Sequence, residues 1–284
     1  MGINRRSFFR AVGATGLLLL ADKKSFASNN SSDIEFFGIL YDSTRCVGCR
    51  TCEYECAVAH GLPEPAADVE AVRATSDKCN TVVNTFQTSK GEAFVKRQCM
   101  HCNEPACCAA CLTKAMHKDL TGPVTWNGDK CMGCRYCMVS CPFDSPKFEF
   151  DSTNPKIQKC DMCFEKQKAG EKPTCVANCP NDALMYGTRR DLIKEARRRI
   201  YEKPESYVDH IYGEHEVGGT GWLNIAAVPF KELGMNTSVQ NSSYPSLTKG
   251  FLYSVPSIDL LLPPLLLGIY TATKNNKSKD EEDD

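Results

Sequence analysis

The strongest constraint on this chain is the spacing of its cysteines. Eighteen occur in 284 residues, and sixteen of them fall into four runs of four. Cys46, Cys49, Cys52 and Cys56 are spaced C-x2-C-x2-C-x3-C, and Cys131, Cys134, Cys137 and Cys141 repeat that spacing. Cys99, Cys102, Cys107 and Cys111 follow C-x2-C-x4-C-x3-C, whereas Cys160, Cys163, Cys175 and Cys179 follow C-x2-C-x11-C-x3-C. Cys79 and Cys108 stand outside the runs. Sulfur at this density exceeds what packing uses, so the fold must be organised around something the thiols hold.

Three chemistries compete for such thiols. A disulfide framework suits an exported chain, but C-x2-C geometry repeated four times is poor for structural bridges. Zinc takes two separated pairs, and three cysteines within seven residues oversupply one tetrahedral ion. The C-x2-C-x2-C-x3-C-P run, closed here by Pro142, is the bacterial 4Fe-4S pattern, in which three thiolates hold one cubane and the fourth ligates another. Two intervening residues let a tight loop reach successive iron corners with its N–H groups turned towards sulfur. Gly48 and Gly133, each just before the second cysteine, suit that close approach. The x3 step reads as the start of a short helix that aims its cysteine away from the loop's own cube, and Pro142 and Pro180 then turn the chain away. Basic residues flank the runs: Arg45, Lys130 and Lys159 precede a first cysteine, and Arg50 and Arg135 follow a second. Positive charge there would raise a cluster's potential, and a solvated side chain without that effect is the equal alternative.

The chain ends carry separate messages. Residues 1–27 read as a twin-arginine signal: Arg5 and Arg6 precede a moderately apolar stretch from Ala11 to Ala21, and small residues suit cleavage after Ala27. An ordinary secretory signal or an N-terminal anchor is the competing reading, although an apolar run of about 11 residues is short for a span. The twin-arginine route moves folded proteins, so thiolates would already be capped by iron on reaching an oxidising space. Residues 250–273 read as a C-terminal transmembrane anchor and residues 274–284 as a charged cytoplasmic tail, with Lys274, Lys277 and Lys279 beyond the apolar run from Phe251 to Ala272. Asp259 is costly in lipid and Pro256, Pro263 and Pro264 would kink a helix, so an interfacial docking segment is the alternative. Residues 236–249, rich in Asn, Ser and Thr, read as a polar linker.

Residues 28–235 remain for one folded domain, read as α+β. Lysine and arginine number 34 against 35 aspartate and glutamate, which suggests no nucleic-acid partner. Strand candidates are Ile34 to Asp42, Ala93 to Arg97, Pro123 to Trp126, Lys147 to Phe150 and Ala183 to Gly187. A surface helix is expected from Arg189 to Ile200, with Thr188 and Asp191 as a capping box and a basic face that is either solvated or in contact with a partner. The long apolar helices of an ordinary core are absent, because thiolate-bound clusters take over much of its packing.

From Cys46 to Ala196, and more loosely beyond, the chain resembles the four-cluster ferredoxin-type subunits of membrane-bound respiratory oxidoreductases. "CMHCNEPAC", "CMGCRYCMVSCPFDSPKFEF", "ALMYGTRRDLIKEARRRI" and "IYGEHEVGGTGWLNIAAVPFKELG" are similar to the iron-sulfur subunit of hydrogenase-2 type, periplasmic nickel-iron hydrogenases. Formate dehydrogenase beta subunits resemble it nearly as well but usually lack a twin-arginine leader of their own. The family often has proline after each fourth cysteine, whereas Ala57 and Leu112 follow Cys56 and Cys111 here. The resemblance implies two pseudo-symmetric bacterial ferredoxin-like halves and four 4Fe-4S clusters. It implies one cluster on Cys46, Cys49, Cys52 and Cys179 and a neighbour on Cys160, Cys163, Cys175 and Cys56. The other half would use Cys99, Cys102, Cys107 and Cys141, then Cys131, Cys134, Cys137 and Cys111. Residue spacing alone leaves that pairing open.

The expected role is a non-catalytic electron-transfer subunit on the periplasmic side of the inner membrane. Full thiolate ligation leaves no open iron for a substrate, and no dinucleotide fingerprint, P-loop, nucleophile elbow or zinc-protease motif stands out. The implied partners are a hydrogenase catalytic subunit, or that of a formate dehydrogenase or other molybdopterin enzyme, and a polytopic quinone-reactive membrane subunit of the NrfD type. A stand-alone redox enzyme and a zinc-bound scaffold are the rival classes. His101, inside the second run, is expected beside a ligand or exposed rather than ligating, and His210 and His215 are assigned no chemistry.

Overall fold

The computed structural model describes residues 35–66 and 72–280, so the signal reading with Arg5 and Arg6 lies outside the described residues, as does the tail beyond Asp280. The chain divides into two units, one from Ile34 to Leu247 and another that includes the C-terminal segment from Thr248.

In the larger unit, β1 (Phe37–Asp42) is flanked by two strands distant in sequence. Hairpin β2 (Val82–Thr88) and β3 (Gly91–Arg97) follows, then the short pairs β4 (Met116–Lys118) with β5 (Val124–Trp126) and β6 (Lys147–Phe148) with β7 (Ile157–Gln158). The strands beside β1 are β8 (Leu184–Thr188), antiparallel, and β9 (Trp222–Ile225), parallel. Both faces of β1 are covered, which is why its residues are apolar without alternation. Ile39 and Tyr41 pack with Trp222, Met162 and Cys175, whereas Leu40 packs with Leu192, Ala196 and Ile200. Five strands fall on the expected segments, and β2, β4, β7 and β9 had no expectation. Of those, β4 is three residues long and β9 is buried throughout, so neither shows an alternation that sequence could reveal.

Five helices bear on the cysteines: α1 (Thr51–His60), α2 (Ala106–Ala109), α3 (Tyr136–Val139), α4 (Phe164–Lys168) and α5 (Thr174–Ala177). The expected surface helix is α6 (Arg189–Glu202). Thr188 Oγ1 caps it, accepting from the Asp191 N–H at 3.3 Å and donating to Asp191 Oδ2 at 2.8 Å. The basic face of α6 is largely neutralised from within. Arg198 pairs with Glu195 and Glu202, and buried Arg199 reaches Asp42 at 2.9 Å, where Tyr207 Oη also donates. The exposed Arg198 pairs are worth at most about 1 kcal/mol each, but together these pairs leave little free charge for a partner.

The expected linker is not a free strap. The Asn236 carbonyl accepts from Tyr212 Oη at 2.8 Å, and the Gln240 and Asn241 carbonyls accept from the Val217 and Gly218 N–H groups. From Tyr244 the chain is already helical, with Pro245 in the first turn where a missing N–H costs nothing. This helix, α7 (Tyr244–Asp280), runs on through Pro256, Pro263 and Pro264. Its segment Tyr244–Thr271 has a mean hydropathy of 1.6 and is long and apolar enough to cross a membrane.

Candidate functional site

The first cysteine run is shaped by left-handed backbone. Gly48 has φ 69° and Arg50 φ 60°, and a Cβ at Gly48 would collide with the Phe94 ring. The resulting turn folds Cys46, Cys49 and Cys52 around one cavity, where Cys179, just beyond α5, completes the lining. The cavity is also lined by Tyr41, Val83 and Lys96, with no histidine or carboxylate among the described residues. Burial pushes the Cys52 thiol up to about 11.

Cys52 and Cys56 lie one turn apart on the same side of α1, and α1 packs on α5. The x3 spacing thereby lets one helix serve two sites. Cys56 belongs to a more deeply buried group. Burial, then the charges of Cys163, Cys52 and Cys56, push Cys175 up to about 12, and burial followed by Cys56 raises Cys160.

The other two runs repeat this arrangement. Gly133 (φ 72°) and Arg135 (φ 59°) match Gly48 and Arg50, and Cys131, Cys134 and Cys137 line a second cavity with Cys111. Its remaining walls are Thr113, Ala115, Met116, Met132, Trp126, Arg135 and Ile157. Cys141 turns to the second run instead: burial, then Cys99, pushes its thiol up to about 11. Cys102 is raised by burial and then by Cys99, Cys141 and Cys107.

These groups suit iron-sulfur clusters by donor chemistry. All eighteen cysteines are free thiols, and among the described residues neither cavity is lined by a histidine or a carboxylate. Backbone N–H groups are aimed at sulfur, from Met116 to Cys111 at 3.4 Å, Met162 to Cys160 at 3.3 Å and Thr174 to Cys163 at 3.5 Å. Such hydrogen bonds spread the negative charge of a thiolate-bound cluster.

Of the five basic residues flanking the runs, only Lys159 is buried. Its ammonium donates to the Val124 and Cys160 carbonyls. Arg45, Lys130 and Arg135 are exposed, and Arg50 pairs with Glu53. Two other lysines, unmarked by any motif, also act on the thiols. Lys118 donates to the His101 and Gly122 carbonyls, and burial pushes it down to about 8. Lys96 is buried, and although burial opposes its charge, Cys175, Cys52, Cys160 and Cys56 outweigh that effect and raise it.

His101 is wholly buried rather than exposed. Its Nδ1 accepts from the Val124 N–H at 2.8 Å, which fixes the neutral tautomer, and burial holds its pKa well below the usual value. His60, which sequence reasoning passed over, lies between the Cys56 carbonyl and Asp161, each 2.9 Å from a ring nitrogen. Both neighbours are acceptors, so both nitrogens carry protons. Asp161 first, then Cys56, pushes it up to about 11. In this arrangement His60 acts as a donor beside the thiols, and its ring, Asp161 and Cys163 bring their ligand atoms within 4.8 Å of one another.

Cys79 donates to the Thr81 carbonyl at 3.0 Å, and Cys108, with burial, pushes the Cys107 thiol up. Neither lines either cavity. Changing Cys79 or Cys108 to alanine is expected to leave the iron content of anaerobically purified protein unchanged. Loss of about four irons in either variant would reassign a ligand.

A family model described as a 4Fe-4S dicluster domain matches residues 91–189. The chain is 32% identical to the hydrogenase-2 operon protein HybA of Shigella flexneri, over 99% of this chain and 98% of that one. It is 36% identical to the B subunit of the anaerobic dimethyl sulfoxide reductase of Haemophilus influenzae, over 54% of this chain and 74% of the relative. The nitrate-inducible formate dehydrogenase iron-sulfur subunit of Shigella flexneri is 30% identical, over 64% of this chain and 65% of its own.

Proposed function

We propose that this chain, which belongs to the HybA-like family of iron-sulfur electron-transfer subunits of oxidoreductase complexes, carries electrons between a nickel-iron hydrogenase catalytic subunit and a quinone-reactive membrane subunit. The observation that carries this reading is the match to HybA from end to end, in a chain that keeps four complete cysteine runs.

Four quartets would hold the clusters, each drawing one cysteine from another run: Cys46, Cys49, Cys52 with Cys179; Cys160, Cys163, Cys175 with Cys56; Cys99, Cys102, Cys107 with Cys141; and Cys131, Cys134, Cys137 with Cys111. Bound there, 4Fe-4S clusters supply one-electron chemistry. The thiolates fill every ligand position, so the subunit relays charge and transforms no substrate. The Met116, Met162 and Thr174 N–H groups hold sulfur in place and offset its charge. Cys49 and Cys134 are exposed at two of the quartets, which brings those sites to the surface where partner subunits could exchange electrons. The repeated Gly48–Arg50 and Gly133–Arg135 turns support a reading as two ferredoxin-like halves. We place the domain on the periplasmic side of the inner membrane, exported through its arginine pair and anchored by α7, whose apolar segment supports a single span.

The test separates the two ends of the relay. Without this subunit, the catalytic partner is expected to reduce an artificial dye with hydrogen at an unchanged rate, while hydrogen-dependent quinone reduction falls to background. The same split seen with formate would transfer the role to a formate dehydrogenase. Quinone reduction that survives with both donors would reject the relay.

A further inference from the structure

We propose that Lys96 is a fixed counter-cation shared by two of the four cluster sites, set between the Cys46, Cys49, Cys52, Cys179 quartet and the Cys56, Cys160, Cys163, Cys175 quartet, and that it raises the reduction potential of both. This rests on the ligand sets proposed above.

Lys96 lies in β3 with 3% of its surface exposed. A buried ammonium costs several kcal/mol unless something pairs with it. Its neutral partners are few: it donates to Thr81 Oγ1, reaches Gln98 Oε1 at 3.3 Å and lies 4.8 Å from the centre of the Trp222 ring. Among the described residues no carboxylate forms an ion pair with it. The anionic groups in reach are sulfur. Lys96 lines the same cavity as Cys46, Cys49, Cys52 and Cys179, and the Trp222 ring beneath its ammonium belongs to the same buried cluster as Cys175 of the other quartet, whose charge, with those of Cys160 and Cys56, favours the ammonium. Its two hydrogen bonds and the indole face hold the ammonium on the sulfur side of the hairpin. Without clusters this position would leave a cation unpaired in the interior; with them it is paired twice.

The consequence follows from charge. A cubane with four thiolates is already anionic, and reduction adds one more negative charge, so a fixed cation favours the reduced state most where water is excluded. The site of Cys131, Cys134, Cys137 and Cys111 is the internal contrast. Its cavity is lined by Arg135 alone among cations, and that side chain is exposed and lies over the Phe148 and Phe150 rings at 5.3 and 5.6 Å.

The experiment is an anaerobic redox titration of the purified complex, followed by electron paramagnetic resonance, with Lys96→Met, Lys96→Gln and Lys96→Arg. Both neutral variants are expected to lower two midpoint potentials and leave that of the Cys111 site unmoved, with Lys96→Arg near the parent. Should the neutral variants lose the two flanking clusters, restoration by Lys96→Arg and not by Lys96→Gln also supports a charge role. A loss that Lys96→Arg fails to restore means packing, and overturns it. Fully loaded neutral variants with unchanged potentials, or with all four shifted equally, overturn it as well. Failure of the underlying ligand sets would be visible separately: Cys56→Ser and Cys49→Ser would then lose the same signal, whereas the proposed sets assign those two residues to different clusters.

Discussion

Serine in place of Cys141 is expected to damage the cluster of Cys99, Cys102 and Cys107 while sparing the one held by the run to which Cys141 belongs. The backbone makes this prediction. Cys137 and Cys141 are four apart across α3, and Cys137 lines the cavity with Cys131, Cys134 and Cys111, whereas the thiol of Cys141 is influenced most, after burial, by Cys99. Serine offers a harder, more weakly binding oxygen to iron. Iron is expected to fall from about 16 towards about 12 per chain, and the lost signal should be the one also lost in Cys102→Ser. The reciprocal variant, Cys111→Ser, should remove the signal shared with Cys134→Ser. If Cys141→Ser and Cys134→Ser lose the same signal, each run holds its own cluster and the crossed assignment is wrong.

The second large effect concerns Glu53, one residue beyond a ligand and 1% exposed. Its Oε1 accepts from Arg73 at 2.6 Å and from the Val83 N–H, and its Oε2 accepts from Arg50 at 3.0 Å and Arg73 at 3.1 Å. The carboxylate thus ties the motif helix α1 to hairpin β2–β3, the hairpin that carries Lys96. Glu53→Ala removes the acceptor shared by two arginines and a buried N–H, and breaking a buried pair in this way costs about 3 kcal/mol or more. Glu53→Gln keeps an acceptor for Val83 and should cost less. The measurement is the denaturant midpoint of the anaerobic holoprotein. Burial alone would push the Glu53 carboxyl up, but hydrogen bonds from Arg73 and Arg50 outweigh it and hold it below its ordinary value. Its contribution is therefore full above the unfolded carboxylate pKa and is lost as pH falls through the lower folded value. The gap between parent and Glu53→Gln should narrow in that acid range. A gap that stays constant there would mean the ion pairs contribute nothing.

Much of the architecture was legible. β1, β3, β5 and β8 coincide with β-branched or aromatic runs bounded by turn residues, and α6 declares itself through the Thr188 cap and an apolar stripe at Leu192, Ala196 and Ile200. The x3 steps are helical because four residues make one turn, as α1 and α3 bear out. β9 was not legible: "WLNI" is buried on every residue, and a short strand covered on both faces has no period to read. The segment after Asn236 looked like a linker because polar residues mark both free loops and loops bonded through their backbone carbonyls. Flanking charge was a poor guide as well, since Lys159 is buried while Lys130, in the same place relative to its run, is exposed.

Local sequence determined the sulfur donors, because the reach of a two-residue step and the pitch of a helix are properties of the nearest few residues. It equally determined the apolar length of the C-terminal segment. The tertiary structure decided what those donors meet. Cys179 lines a cavity with cysteines more than a hundred residues earlier only because α5 packs on α1, and Lys96 faces sulfur only because its hairpin is clamped by Glu53. A lysine in "AFVKR" looks like any strand lysine until folding removes the water around it. Burial and the approach of distant chain segments then set the charge around each cluster site, and neither can be read from neighbours in sequence.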